Sequence, residues 1–327
     1  MSRPAPLIRV LRSGLEESVH TGHVVVCDVD GRIVAEVGDP HRPVFARSSM
    51  KPLQAAVSLR RIDAPIEDDL VAIACASHNA EPVHVRAVRR LLRAGGLTEA
   101  ALGCPPALPS RPEDARRVAG PRRVFHNCSG KHAGMVVAAE GAGWGHEGYL
   151  APGHPLQQAV LRAVRRGTGI ERPAIGVDGC GVPVHGVPLS AMATLFARLA
   201  RPERLGRLAG TTARAVSAMR AHPYLVAGDR RTDTALMSAA PGIVSKGGAE
   251  ALHCAAILDA GVGVAVKVAD GGERAAGPAL IRALALLGAL GPRQVEALAP
   301  LARRPVLGGG RAVGEMVADF RLRRPRA

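Results

Sequence analysis

The chain has 327 residues, 47% of them apolar, and a formal charge of +15. That is enough apolar material for one large domain, or for two lobes with a site between them, and it excludes an intrinsically disordered chain. No apolar run reaches the ~18 residues of a membrane span, and the opening MSRPAPLIRVLRSG lacks the apolar stretch of a secretory signal, so a cytoplasmic protein is expected. The positive charge is almost all arginine, is scattered, and is not interleaved with aromatics, which number two Tyr, four Phe and one Trp. Base stacking has little to work with, and no specific nucleic-acid partner is expected.

In chain order, residues 20–45 read as antiparallel strands joined at the turn-forming Asp30–Gly31. A Ser-rich start then leads into a helix over KPLQAAVSLRRI. LVAIACASHNAEP reads as a buried strand ending in polar residues, and HVRAVRRLLRAGG as a helix. GCPPALPSRPEDARRV is Pro-rich and irregular. VFHNCSGKHAGMVVAAEG reads as a loop entering a small-residue helix, and 154–168 as a further helix. PAIGVDGCGVPVHGVPLS reads as a short strand and a turn-rich loop. Helices follow in MATLFARLA and over 203–221, then IVSKGGAEALHCAAILDAGVGVAVKVADGG reads as a helix or turn followed by a β-rich segment over 261–268, and a long helix over 276–290 comes after it. Strands towards both ends with helices between them predict a mixed α/β (α+β) fold whose antiparallel sheet is formed from both termini.

Two scarcities single out residues. Lysine occurs only at Lys51, Lys131, Lys246 and Lys267, and asparagine only at Asn79 and Asn127. Arginine serves wherever a surface cation suffices, but it cannot lose its proton, so each retained lysine is a candidate base or ligand. Six cysteines without a secretion signal suggest buried thiols or metal ligands rather than a disulfide framework.

Five motifs could carry chemistry. In Ser48-Ser49-Met50-Lys51 a hydroxyl and an amine stand one helical turn apart, and a buried amine with a lowered pKa can take a serine's proton. The same S-x-x-K spacing serves penicillin-recognising enzymes, although it also arises as an N-cap serine beside a surface lysine. Cys75-Ala76-Ser77-His78-Asn79 places polar groups where a strand would end, or simply closes a turn. Asn127-Cys128-Ser129-Gly130-Lys131-His132 concentrates a thiol, an amine and an imidazole, and thiolate with nitrogen favours zinc. Asp178-Gly179-Cys180-Gly181 offers a carboxylate and a second thiol, or a tight turn. Lys267, in an apolar β-rich run, is either a second lysine of lowered pKa or a strand-end residue.

RSSMKPLQA, CASHNAEP, NCSGKHAGM, DGCGVP and RTDT, in that order across nearly the whole chain, resemble the rhizobial-type L-asparaginase family, distinct from the asparaginases with threonine nucleophiles. The resemblance implies a serine β-lactamase-like or glutaminase-like fold, an antiparallel sheet flanked by helices with a helical region, and a homodimer. It implies two serine–lysine pairs, Ser48 with Lys51 and Ser77 with Lys267, with Ser48 favoured as the acylated nucleophile. It further implies zinc on Cys128, Lys131 and Cys180, with Asp178 beside the metal or on the substrate and Cys254 nearby. Arg47, His78, Asn79 and Arg231 are implied as substrate-contacting groups. One departure is Ala80, where the family pattern has glycine; another is Asn79, where some members carry serine. The expected reaction is hydrolysis of L-asparagine to L-aspartate and ammonia. The alternatives are a glutaminase or other serine amidohydrolase of this fold, and a non-catalytic zinc-dependent binding protein.

Overall fold

A computed structural model describes residues 3–325. They fall into two compact units, one of residues 3–49, 187–201 and 235–325, the other of Met50–Gly186 and Pro202–Thr234.

The first unit is built on an antiparallel sheet. Its strands are β1 (Ala5–Arg12), β2 (Leu15–Cys27), β3 (Ile33–Val37), β7 (Ile243–Gly248), β8 (Leu252–Ile257), β9 (Val262–Val268), β10 (Pro305–Gly308) and β11 (Arg311–Ala318). Their order is β10-β11-β1-β2-β9-β8-β7, with β3 also paired to β2. Strands from the two ends of the chain therefore meet at β1 and β11, where Ile8 pairs with Ala318 and Arg12 with Gly314. The β2–β3 connection is the expected turn, in which Asp28 Oδ1 accepts from the amides of Asp30 and Arg32. A short strand β4 (Pro43–Phe45) closes the N-terminal segment.

Helices α7 (Leu189–Ala200) and α11 (Glu273–Leu286) pack on this sheet, and α12 (Pro292–Ala302) packs on α11. Val24, Val26, Val264, Val266 and Val268 share a core with Ala275, Ala279, Leu280 and Leu284 of α11. The alternate β9 residue Gly263 faces Ala193 and Ala197 of α7. Both faces of the central strands are thus covered, and β8 is buried at every position. Strands covered on two sides are apolar throughout rather than alternating.

That burial accounts for a difference from expectation. The segment after Ile243, read as a helix or turn followed by one strand, is the three-strand meander β7–β8–β9. Its strands alternate too weakly to be recognised by a period of two.

The second unit is mainly helical: α1 (Lys51–Leu59), α2 (Asp68–Ala74), α3 (Pro82–Ala94), the one-turn α4 (Pro112–Ala115), α5 (Ser129–Gly141), α6 (Pro155–Thr168), α8 (Ala209–Ala221) and the short α9 (Pro223–Val226). Helix α1 packs on α5, α6 and α8, and α2 on α3, α5 and α8. Helix α10 (Thr232–Ala239) carries the chain back into the first unit. The apolar run LVAIA, expected as a strand, is helix α2. Asp68 and Asp69 in its first turn favour the helix dipole, and a short run buried on all sides has no period to betray its type. The only strands assigned to this region, β5 (Ala174–Val177) and β6 (Pro183–Pro188), form a hairpin in which Ala174 faces Gly186 and Val177 faces Pro183. Strand β6 replaces most of the loop expected there.

Candidate active site

The Arg47–Met50 segment is a 3-10 turn that runs directly into α1 at Lys51, with Pro52 in the first helical turn where it costs no hydrogen bond. The two serines of the turn differ. Ser49 is fully buried and its hydroxyl donates to the carbonyl of Lys246 at 2.9 Å, so its oxygen is engaged in holding the turn against β7. Ser48 is half-buried. Arg47 has a left-handed backbone (φ +45°), with a guanidinium nitrogen 4.0 Å from Glu250.

Lys51 is wholly enclosed. Its Nζ donates to Ser77 Oγ at 2.8 Å and to the carbonyl of Ala76 at 2.5 Å. Burial pushes its pKa down, against the opposing pull of the Cys128 sulfur. A desolvated amine on a hydroxyl is the arrangement that activates a serine or relays its proton.

Ser77 lies in the segment that follows α2, held extended by backbone bonds from Ser77 N to Val226 O, His78 N to Asn127 O and Asn79 N to Ala227 O. His78 is fully buried, pairs through Nε2 with Ser129 Oγ at 3.0 Å, accepts from the Ala80 amide through Nδ1, and stacks on His84. Burial holds it neutral. Asn79 is 3% exposed and donates to Glu81 Oε1 and Asp229 O while accepting from Arg231 Nη1. Both amide protons are therefore spent within the protein. The structure gives His78, Asn79 and Arg231 the work of fixing the Ser77 segment. Ala80 adopts φ +60°, which explains why the family pattern has glycine there.

The thiols converge from two other elements. Cys128 stands at the N-terminus of α5, with Lys131 one turn on. Gly130 between them is a packing requirement, since any Cβ there would fall 2.1 Å from the Ile73 carbonyl of α2. Cys180 is in the turn between β5 and β6, closed by Asp178 N to Val182 O and Gly181 N to Asp178 O. Lys131 Nζ donates to Cys180 Sγ at 2.9 Å, and Asp178 Oδ2 lies 3.6 Å from the same sulfur. A hydrogen bond from Cys180, with Lys51 and Lys131 nearby, drives the Cys128 thiol well below its usual range. The same bond drives Cys180 up. Burial disfavours the Lys131 ammonium, but the Cys180 and Cys128 sulfurs outweigh it and raise its pKa.

No group of three or more His, Cys, Asp or Glu side chains arranged for a metal occurs among the described residues. The expected set counts a lysine as its third member. Two soft sulfurs and an amine within reach of one another suit zinc, provided that Lys131 gives up its proton on binding.

Ser77 was expected to pair with Lys267; within its own unit the Ser77 hydroxyl accepts from Lys51. Lys267 is half-buried near the end of β9, and its amine donates to the carbonyls of Glu250 and, at 2.7 Å, Val268. Lys246, not assigned a role from sequence, is fully buried on β7, opposite Cys254 on β8, and donates to the Gly247 carbonyl. Lysine scarcity was the available signal for it. Glu81, also unassigned, is 5% exposed and gathers Asn79, Tyr224, Arg111 and the Asp229 amide. Nothing in a single Glu-Pro dipeptide announces such a hub.

A mixed α/β fold with a buried serine–lysine pair is consistent with an amidohydrolase, and comparison with known proteins identifies the class. The family described as L-asparaginase II matches residues 8–318. The chain belongs to that family. No individually curated protein matches it. Among solved structures it is similar to a β-lactamase from Mycobacterium bovis, at 17% identity and a TM-score of 0.39 over 82% of this chain and 95% of that one. It is also similar to Mglu in its native form, at 16% identity and a TM-score of 0.37 over 82% of this chain and 64% of that one, so it spans less than two thirds of that protein. A third is a probable glutaminase from Bacillus subtilis complexed with 6-diazo-5-oxo-L-norleucine, at 12% identity and a TM-score of 0.33 over 77% of this chain and 80% of that one.

Proposed function

We propose that the chain hydrolyses L-asparagine to L-aspartate and ammonia through a serine–lysine mechanism. The observation that carries this reading is the fully buried Lys51 amine on Ser77 Oγ at 2.8 Å. Ser48 attacks the side-chain amide carbonyl, and Lys51, its pKa lowered by desolvation, takes the hydroxyl proton. Ser77, hydrogen-bonded to that amine, passes the proton to the departing nitrogen as the C–N bond breaks. Water then attacks the aspartyl ester and restores Ser48. Backbone N–H groups at the start of α1 meet the charge on the tetrahedral oxygen. Arg47 suits the substrate carboxylate and Asp178 its ammonium.

Cys128, Lys131 and Cys180 are proposed to hold zinc, which would supply a fixed positive charge that binds the thiolates and positions substrate. The protein is proposed to act in the cytoplasm, where six buried, unbridged cysteines remain reduced. It is proposed to do so as a homodimer, a reading supported by the exposed apolar side chains Ile175 and Val177 on edge strand β5. No helix among the described residues is long and apolar enough to cross a membrane.

The test is ammonia release from L-asparagine by the purified protein, with L-glutamine in parallel and Ser48→Ala as control. Release from asparagine that is lost in the variant supports reaction and nucleophile together. Faster release from glutamine would transfer the reading to a glutaminase. No release from either amide by folded, zinc-supplied protein would leave a non-catalytic binding protein.

A further inference from the structure

The C-terminal end of α1 and one face of α6 bound a cavity of about 400 Å³ that the reaction does not use. Five arginines line it, Arg60, Arg61, Arg162, Arg166 and Arg207, and none of its lining side chains is a carboxylate. Arg162 and Arg166 are one turn apart on α6 and project from the same face. Val57, Ala163 and Leu205 form a buried apolar floor.

Neighbouring contacts position Arg60, Arg61 and Arg166. Arg61 lies over the Trp144 ring, 5.1 Å from its centre. Arg60 donates to the Arg207 carbonyl. Arg166 rests against Gly206, where any Cβ would come within 2.7 Å of its Nη2. Five guanidinium groups around one cavity, with no carboxylate in its lining, favour a bound polyanion. The planar guanidinium fork matches phosphate oxygens two at a time.

We propose that this cavity binds a small anion carrying a triphosphate chain, the phosphates meeting the arginines and any attached base lying on the Val57–Leu205 floor. Helix α1 begins at Lys51 and ends beside Arg60, so an occupant bears on the helix that carries the catalytic amine.

The experiment is calorimetric titration of the full chain at low salt with sodium tripolyphosphate and, separately, with ATP. Saturable binding is expected, weakened about tenfold or more in Arg162→Gln/Arg166→Gln. It should be unchanged in Arg293→Gln/Arg303→Gln, which removes the same charge from exposed sites in the first unit. Tighter binding of ATP than of tripolyphosphate assigns a nucleotide; equal binding assigns the phosphate chain alone. Failure to saturate at millimolar ligand, or equal weakening in both double variants, would overturn the proposal in favour of diffuse charge. The readout is binding, so it stands apart from the outcome of the asparagine assay.

Discussion

Lys51 Nζ meets Ser77 Oγ at 2.8 Å across 26 residues of chain, and the amine has no exposure to solvent. Replacing Lys51 by methionine keeps the volume and removes the base. Ammonia release should fall by about 10²–10⁴-fold with the fold retained, read by steady-state assay beside circular dichroism. Activity within tenfold of the parent would remove Lys51 from the mechanism.

Ser48 and Ser49 are adjacent but should behave oppositely. Ser48→Ala is expected to cost at least about 10³-fold in rate. Ser49→Ala should keep most of the activity but lose about 1–3 kcal/mol of stability, because it removes a buried hydrogen bond from the Ser49 hydroxyl to the Lys246 carbonyl. Denaturant unfolding and the rate assay on both variants separate the two roles.

Ala80 sits at φ +60°, where a side chain is strained. Ala80→Gly should raise stability by up to ~1 kcal/mol, the relief of strain exceeding the entropy that glycine loses on folding. Thermal unfolding of the variant would show a higher midpoint; a clear fall would mean that the Ala80 methyl makes packing contacts worth more than the strain.

His185 on β6 is 2% exposed, and burial pushes its pKa down from 6.5 to about 4. The unfolded chain therefore takes up this proton before the folded one does. Stability should fall as pH drops from about 6.5 towards about 4 and level off below. His185→Gln should remove about one proton from that slope, ~1.4 kcal/mol per pH unit, in urea unfolding curves taken across the window. An unchanged slope would mean that His185 is protonated in the fold.

If zinc is held by Cys128, Lys131 and Cys180, purified protein should carry about one zinc per chain. Cys128→Ser and Cys180→Ser should each reduce that content to background by elemental analysis, and a chelator should lower the thermal midpoint of the parent but not of the variants. Full zinc content in both variants would place any metal elsewhere.

Much of this molecule is legible in its sequence. The Asp30–Gly31 turn, helix α6 and the small-residue helix after Cys128 follow from local turn chemistry and from periodicity. The scarcity of lysine points to buried positions, since Lys51, Lys131 and Lys246 are all buried. The glycine expected at Ala80 is a statement about backbone dihedral angle, and the φ of +60° agrees.

Other features depended on tertiary structure. LVAIA, read as a strand, became helix α2, and the stretch read as a helix or turn before residue 261 became strands β7 and β8, since burial on both faces erases the period that tells the two apart. Sequence alone identified the amines and hydroxyls, but not their partners. Lys51 meets Ser77 because the start of α1 and the segment after α2 are packed together, and Lys267 donates to carbonyls beside β9. Local spacing specifies which groups a helical turn can bring together; contacts between elements distant in sequence are set by how the apolar faces pack.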